Sequence, residues 1–372
     1  MKVQYQPNPQ SLLSTFILFF IIHSIQVGIG IQGFQRVIFF EAKHDAWISV
    51  IAAGLFTHIV VMIIIKTLQL YGPTDIYGIH IEVYGKWIGK IVNSLYILYC
   101  LWIFVIVLIN YIEVMQTWVF PTVPTWLFSF SILLLVIYGV TGGLRVIVGA
   151  CFFSIFLSIW MLVLIGFPLR FTDIHHLFPV MESSITSILK GAQKMTLTII
   201  GFEILYVVYP FLKEREKVTK FAHLGIAGTN LLYLLIMLIT ITYFSPGQME
   251  NTIWPTLSLF KIVKLPFIER TEYVAVSFWL LIILPNLMLY LWAAVRGVRR
   301  TFEKKTKGLI WFFPLVIFCG SLFFNTRSKI NLFNDLFASI AFYITFCYPF
   351  ILYILAMIKR KITSLKENKN EE

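Results

Sequence analysis

The chain has 372 residues, of which 59% are hydrophobic, 17% aromatic and 13% charged, too apolar for a soluble globular domain and too hydrophobic for a disordered one. Its formal net charge of +12 raises a nucleic-acid partner as a possibility. The densest basic run, 296–307, follows directly on an apolar segment, however, so it reads as a positive-inside topology signal with no nucleic-acid partner. The composition implies a multi-pass protein of the lipid bilayer.

Crossing about 30 Å of hydrocarbon takes about 20 helical residues, and ten apolar segments approach or exceed that length: 11–35, 46–65, 91–112, 124–139, 146–169, 195–212, 221–244, 273–295, 309–324 and 336–358. The fourth and ninth are short. The lone Lys2 before the first segment, with no small-x-small site after it, predicts no cleavable signal. The predicted fold class is an all-α integral membrane protein of about ten transmembrane helices.

The first segment contains Gly28-Ile29-Gly30-Ile31-Gln32-Gly33. Three glycines in six residues, beside Gln26, predict a broken helix whose backbone groups are released to a site. Close packing of small residues is the simpler alternative, but it leaves the two glutamines unexplained. The spacing is formally G-x-G-x-x-G, yet it interrupts an apolar segment with no βαβ unit around it, which excludes dinucleotide binding.

The sixth segment carries Glu203 near its middle, next to Gly201 and Phe202. A carboxylate at the bilayer centre costs about 2.5–3.5 kcal/mol on insertion scales, so such a residue persists where a partner, proton or ligand compensates it. No Lys or Arg lies within a segment interior to pair with it. Backbone released by the break, a ligand cation or a histidine are the expected partners; His23 and His58 also lie in predicted segments. Asn110 and Asn286, the latter beside Pro285, read as interhelical hydrogen-bonding or kink positions.

The two interrupted segments are five apart. That spacing predicts a five-helix unit used twice with inverted topology, with a first repeat of about 11–169 and a second of about 190–358. A basic tail, 359–372, completes a single polytopic membrane domain, 1–372. With both termini inside, inner segments hold twenty of the Lys and Arg residues and outer segments ten, which predicts cytoplasmic termini. Cys100, Cys151, Cys319 and Cys347 show no metal-ligand spacing and read as buried hydrophobes. No metal, cofactor or catalytic residue is expected, because no His-Glu metal motif, nucleophile elbow or paired intramembrane acid occurs.

Gly28-Ile29-Gly30, the start of the second segment at Asp45-Ala46-Trp47-Ile48-Ser49-Val50, and Gly201-Phe202-Glu203 together resemble the spore germination B-subunit family. So does the outer stretch Trp254-Pro255-Thr256-Leu257-Ser258-Leu259-Phe260, followed by Phe267-Ile268-Glu269-Arg270-Thr271-Glu272. The resemblance covers nearly the whole chain. It implies the amino acid, polyamine and organocation transporter superfamily and a LeuT-like fold with helices 1 and 6 unwound. It also implies a nutrient germinant receptor in the spore inner membrane, working with A and C subunits.

The resemblance puts Gly28, Gly30, Gly201, Phe202 and Glu203 at binding-site positions; with Ile29, Gln32, Gly33 and Ile200 of the interrupted backbone they make up the expected ligand site. The backbone at 28–33 would hold a carboxylate, and carbonyls near Ile200 and Gly201 an ammonium or hydroxyl. Two features depart from the superfamily pattern. Gly33-Phe34-Gln35 stands where a proline often follows the first break, and 146–169 contains no charged residue where some proton-coupled relatives carry a lysine. The residues alone favour a secondary amino-acid or organocation permease; the resemblance favours a receptor subunit that senses a small nutrient.

Overall fold

A computed structural model describes residues 4, 5, 7–264, 266, 268–304 and 306–371, without the side chains from 365 onward. Lys2, Lys305 and Phe267, used in the sequence reading, lie outside the described residues, as do the side chains of Lys366 and Lys369. The described chain is helical throughout. In order the helices are α1 (Ile17–Gln26), α2 (Phe34–Ala42), α3 (Ala46–Tyr71), α4 (Ile76–Tyr84), α5 (Lys86–Trp118) and α6 (Thr125–Thr141). Next come α7 (Leu144–Ile165), α8 (Ile185–Lys194), α9 (Thr196–Ile199), α10 (Leu205–Val208), α11 (Val218–Tyr243) and α12 (Pro246–Asn251). The last are α13 (Pro255–Ile262), α14 (Thr271–Phe302), α15 (Leu309–Ser321), α16 (Arg327–Phe342) and α17 (Tyr348–Glu371).

Among the described residues, six helical stretches are long and apolar enough to cross a bilayer: Phe34–Tyr71, Lys86–Trp118, Leu144–Phe171, Arg215–Tyr243, Thr271–Phe302 and Arg327–Ser364. Four shorter apolar helices, Ile17–Gln26, Thr125–Thr141, Phe202–Phe211 and Leu309–Ser321, coincide with the first, fourth, sixth and ninth predicted segments. The first and sixth are shortened by the interruptions and the other two by their short apolar runs. Helix satisfies every backbone group within its own segment, which is why apolar runs of this length adopt it in lipid. Exposed Leu55 and Ile59 on α3, Phe153 and Val163 on α7, and Leu231 on α11 form the apolar exterior expected against acyl chains.

The core is organised around α14, which packs along α5 and is flanked by α6 and α7; α1 lies between α7 and α11. Pro285 inside α14 removes one ladder hydrogen bond. The next residue, Asn286, donates to Ile282 O at 3.0 Å within the helix and to Ser24 O at 2.9 Å on α1. It ties the proline turn to the end of the first interrupted segment.

The chain before α1 is strapped across one end of the bundle. Leu13 N–H donates to Phe211 O at 2.8 Å and Lys213 N–H to Leu13 O at 3.0 Å, while Thr15 N–H reaches Glu214 Oε2 at 2.9 Å. Beside this strap Asp75, fully buried, caps α4 through Gly78 N–H. It also pairs with Arg296 at 2.6 Å and Arg300 at 3.0 Å. Tyr5 lies against both guanidinium groups, with its ring centre 4.3 and 5.1 Å from their carbons. Arg296 and Arg300 belong to the run read as a topology signal; their ion pairs with Asp75 are a structural role beyond it.

Candidate functional site

Both predicted interruptions are present in the backbone. The first follows Gln26: Gly28 takes φ −113° and ψ −145°, a short 3₁₀ turn runs Ile29–Gln32, and α2 resumes at Phe34. The second follows Ile199. Ile200 is extended, Gly201 takes φ +120°, and a turn at Phe202–Ile204 leads into α10. Gly201 needs to be glycine on two grounds: that dihedral disfavours any Cβ, and a Cβ there would lie 3.0 Å from the Ile25 carbonyl oxygen.

The two interruptions face each other and are tied together. Gln26 Nε2 donates to Ile199 O at 2.7 Å. The Tyr233 hydroxyl, from α11, lies 2.8 Å from Gln26 O and 3.1 Å from Thr198 O. Where the strands of backbone cross, a Cβ on Gly30 would come within 2.9 Å of both Cα and Oγ1 of Thr198.

This crossing lies between two spaces. On one side a cavity of about 520 Å³ is lined by Gly30, Gly33, Lys194, Trp254, Arg327 and Asp335 among others. It lies toward Gly33, at the opposite end of α1 from the strap. On the other side is a chamber of about 20 Å³ bounded by Gln26, Gly28, Ile200, Asn286 and Tyr290 and by aliphatic side chains of α5. Ile29, Gly30, Leu197 and Thr198 border both.

Glu203 is 2% exposed, and its partners are tyrosines and backbone. Oε1 accepts from the Tyr99 hydroxyl at 2.8 Å and from Tyr290 at 3.2 Å; Oε2 accepts from Gly201 N–H at 2.7 Å. Tyr99 also contacts Thr345 Oγ1 at 3.1 Å. The carboxylate therefore fastens its own interruption to α5, α14 and the π-type turn at Tyr343–Cys347. The expected backbone partner is found and the expected histidine is not. His23 pairs with Thr229 at 2.9 Å, and His58 stacks on His223 with Nδ1 atoms 2.7 Å apart.

The nine residues expected at the site divide into three groups. Gly28, Ile29, Gly30 and Ile200 line the chamber, and Gly33 lines the larger cavity. Gly201 and Glu203 lie behind the chamber wall, acting on Tyr290 and on the shape of the break. Phe202 is buried against Phe346, with ring centres 5.5 Å apart. Gln32 is 1% exposed, with neither amide atom partnered, and borders neither space. Sequence reasoning did not nominate Thr198, Tyr290 or Tyr99, and it gave Asn286 only the interhelical hydrogen bond that it makes to Ser24 O. A signal existed in α14, where Asn286 and Tyr290 are four residues apart and so share a helix face.

The family model described as spore germination protein matches residues 12–330. The chain is 36% identical to spore germination protein GerQB of Bacillus cereus over 97% of this chain and 98% of that protein. It is 24% identical to spore germination protein YndE of Bacillus subtilis (strain 168) over 95% of this chain and 99% of that protein. Among solved structures it superposes on Mhp1, a nucleobase-cation-symport-1 family transporter in a closed conformation with bromovinylhydantoin bound. The TM-score is 0.57 at 13% identity, covering 90% of this chain and 78% of that one. That likeness concerns the fold alone, which is the LeuT-like transporter architecture. A membrane-embedded helical bundle matched over nearly all its length by germination proteins, the chain belongs to the spore germination protein family.

Proposed function

We propose that this protein is the membrane subunit of a spore nutrient germinant receptor. It binds a small nutrient, an amino acid or similar molecule, where the two interrupted segments meet, and passes the resulting change of conformation to A and C subunits in the spore inner membrane. In this reading the chain crosses the bilayer ten times as a single domain with cytoplasmic termini. Two inverted repeats, about 11–169 and 190–358, supply one interrupted helix each.

The observation that carries the reading is the crossing at Gly30 and Thr198, with an open cavity on one side and a small chamber of mixed polar and aliphatic lining on the other. A ligand that bridges the two spaces touches both interrupted segments and favours whichever arrangement of them it fits. Differential affinity of this kind is what shifts a conformational equilibrium. The amides of Ile29 and Gly30 open the 3₁₀ turn without a backbone acceptor among the described residues, which suits the carboxylate end of an amino acid.

A second reading, a secondary amino-acid or organocation permease, is favoured by the transporter fold. Coupled accumulation requires a group that changes charge or ion occupancy, and α7 presents no charged residue apart from Arg145 in its first turn. Deleting the gene separates the readings. A receptor subunit leaves vegetative nutrient uptake unchanged and abolishes or reduces germination by one class of nutrient, while nutrient-independent triggers still work. Gradient-driven accumulation of that nutrient by liposomes containing this protein alone would make it a permease.

A further inference from the structure

Four polar residues border the small chamber; two of them, Asn286 and Tyr290, have only acceptor atoms left to offer, and Gln26 keeps its oxygen and one amide hydrogen. Gln26 is 3% exposed and commits its Nε2 to Ile199 O at 2.7 Å. Turning the amide over would set oxygen against oxygen, so the partner fixes its orientation. Its Oε1 is then buried with no hydrogen-bond partner. Asn286, 1% exposed, has both Nδ2 hydrogens engaged by Ser24 O and Ile282 O, leaving Oδ1. The Tyr290 hydroxyl hydrogen goes to Glu203, leaving its oxygen. The fourth, the Thr198 hydroxyl, is held against Gly30 and serves as donor or acceptor.

A chamber of about 20 Å³ has room for a single group the size of a water molecule. A carboxylate there would meet acceptor oxygens, and a methyl would leave those oxygens unpaired. Two carbonyls ahead of the second break are already engaged: Ile199 O accepts from Gln26, and Thr198 O lies within reach of Tyr233. The side-chain oxygens of the wall add further acceptors beside them.

We infer that Gln26 and Asn286 form the subsite for an N–H group of the nutrient, a primary ammonium or a ring N–H, with the rest of the molecule extending past Gly30 into the larger cavity. This rests on the reading that the interrupted segments bind the nutrient, and it adds which end of the ligand points inward and which side chains receive it.

The test uses the full-length protein in lipid nanodiscs and direct binding measurements. The probes are the twenty proteinogenic L-amino acids, the common ribonucleosides with inosine, and glucose and fructose. Each binder is then compared with its N-methylated counterpart, the trimethylammonium form of an amino acid or the ring-methylated nucleoside. Gln26→Met and Asn286→Ala, both checked for monodisperse elution, should each weaken the parent compound about 10- to 100-fold, the size of a lost hydrogen bond to a charged or strongly polar group. N-methylation should do the same, and the methylated compound should be indifferent to Gln26→Met. An amino acid as binder identifies the ammonium; a nucleoside identifies the ring N–H. Asn286→Ala leaves the Gln26 contact with Ile199 in place, so it still decides the matter if Gln26→Met fails to fold. A binder lost in Gly30→Leu but unaffected by both amide variants or by N-methylation overturns the subsite and leaves the nutrient site standing. Binding by sugars alone has the same meaning. No binding by any probe to the wild-type protein overturns both.

Discussion

Alanine at Gly30 and alanine at Gly28 are the same chemical change two residues apart, and the structure assigns them opposite outcomes. A Cβ on Gly28 meets nothing within 4 Å, whereas one on Gly30 falls 2.9 Å from Thr198 Cα and Oγ1 and 3.1 Å from its Cβ. The first of these is backbone and cannot swing aside. Restoring ordinary contact requires the two interrupted segments to part by about 0.5 Å, and overpacking of this kind costs about 1–3 kcal/mol. With an unfolding entropy of about 2.1 cal/mol/K per residue, that lowers the melting temperature by about 1–4 °C for a chain of this length.

The assay compares wild type, Gly28→Ala, Gly30→Ala and the double variant Gly30→Ala/Thr198→Gly by scanning fluorimetry in one detergent at one scan rate. The same set is compared by the nutrient concentration giving half-maximal germination. Gly28→Ala should match wild type in melting, because its Cβ meets no neighbour. Gly30→Ala should melt lower and shift the half-maximal concentration by about fivefold or more, since 1 kcal/mol of imbalance between conformations corresponds to about that factor. The double variant, which removes the Oγ1 and Cβ contacts but keeps Cα, should recover part of the loss. Equal behaviour of Gly28→Ala and Gly30→Ala would show that the crossing is not a tight contact and would remove the basis of the proposed site.

Glu203→Gln replaces an acceptor of three hydrogen bonds with a group that has one acceptor oxygen. The protein should still be made, but the dose and pH dependence of the nutrient response should change; unaltered dependence in spores would make the charge irrelevant. Asp75→Asn leaves two arginines facing a neutral partner in a buried site, a change of about 3–5 kcal/mol for a broken buried pair. It should sharply reduce the amount of folded protein, with partial recovery in Asp75→Asn/Arg296→Met, and normal yield of the single variant would contradict the assignment. Hydrogen bonds from the Thr15 backbone and side chain hold the Glu214 carboxyl below its ordinary value of 4.5. A depressed folded value means that the strap is fully stabilised above about pH 4.5 and loosens as pH falls through the lower folded value. Protection of the Thr15 amide from hydrogen exchange should therefore drop in that acid range, and Glu214→Gln should abolish the pH dependence; a profile identical in the variant would refute it.

The sequence by itself determined what is local. Apolar run length located the helices, because a bilayer tolerates only backbone that bonds within its own segment. Glycines at 28–33 and at Gly201 marked where the helix stops: Gly30 lacks the Cβ that Thr198 would meet, and Gly201 lacks the Cβ that its positive φ disfavours. A carboxylate in an apolar run announced that something must compensate it. Only the tertiary structure decided what that something is. Tyr99 and Tyr290 lie 104 and 87 residues from Glu203, and they reach it because α5 and α14 pack together with those faces turned inward. His23 and His58, equally plausible in sequence, face Thr229 and His223 instead. The same holds for the Gln26 oxygen left without a partner, for the chamber it borders, and for Asp75 between two arginines more than 200 residues away. Sequence patterning says that a residue is buried. The rotation and crossing of packed helices, settled by all their side chains at once, say against what.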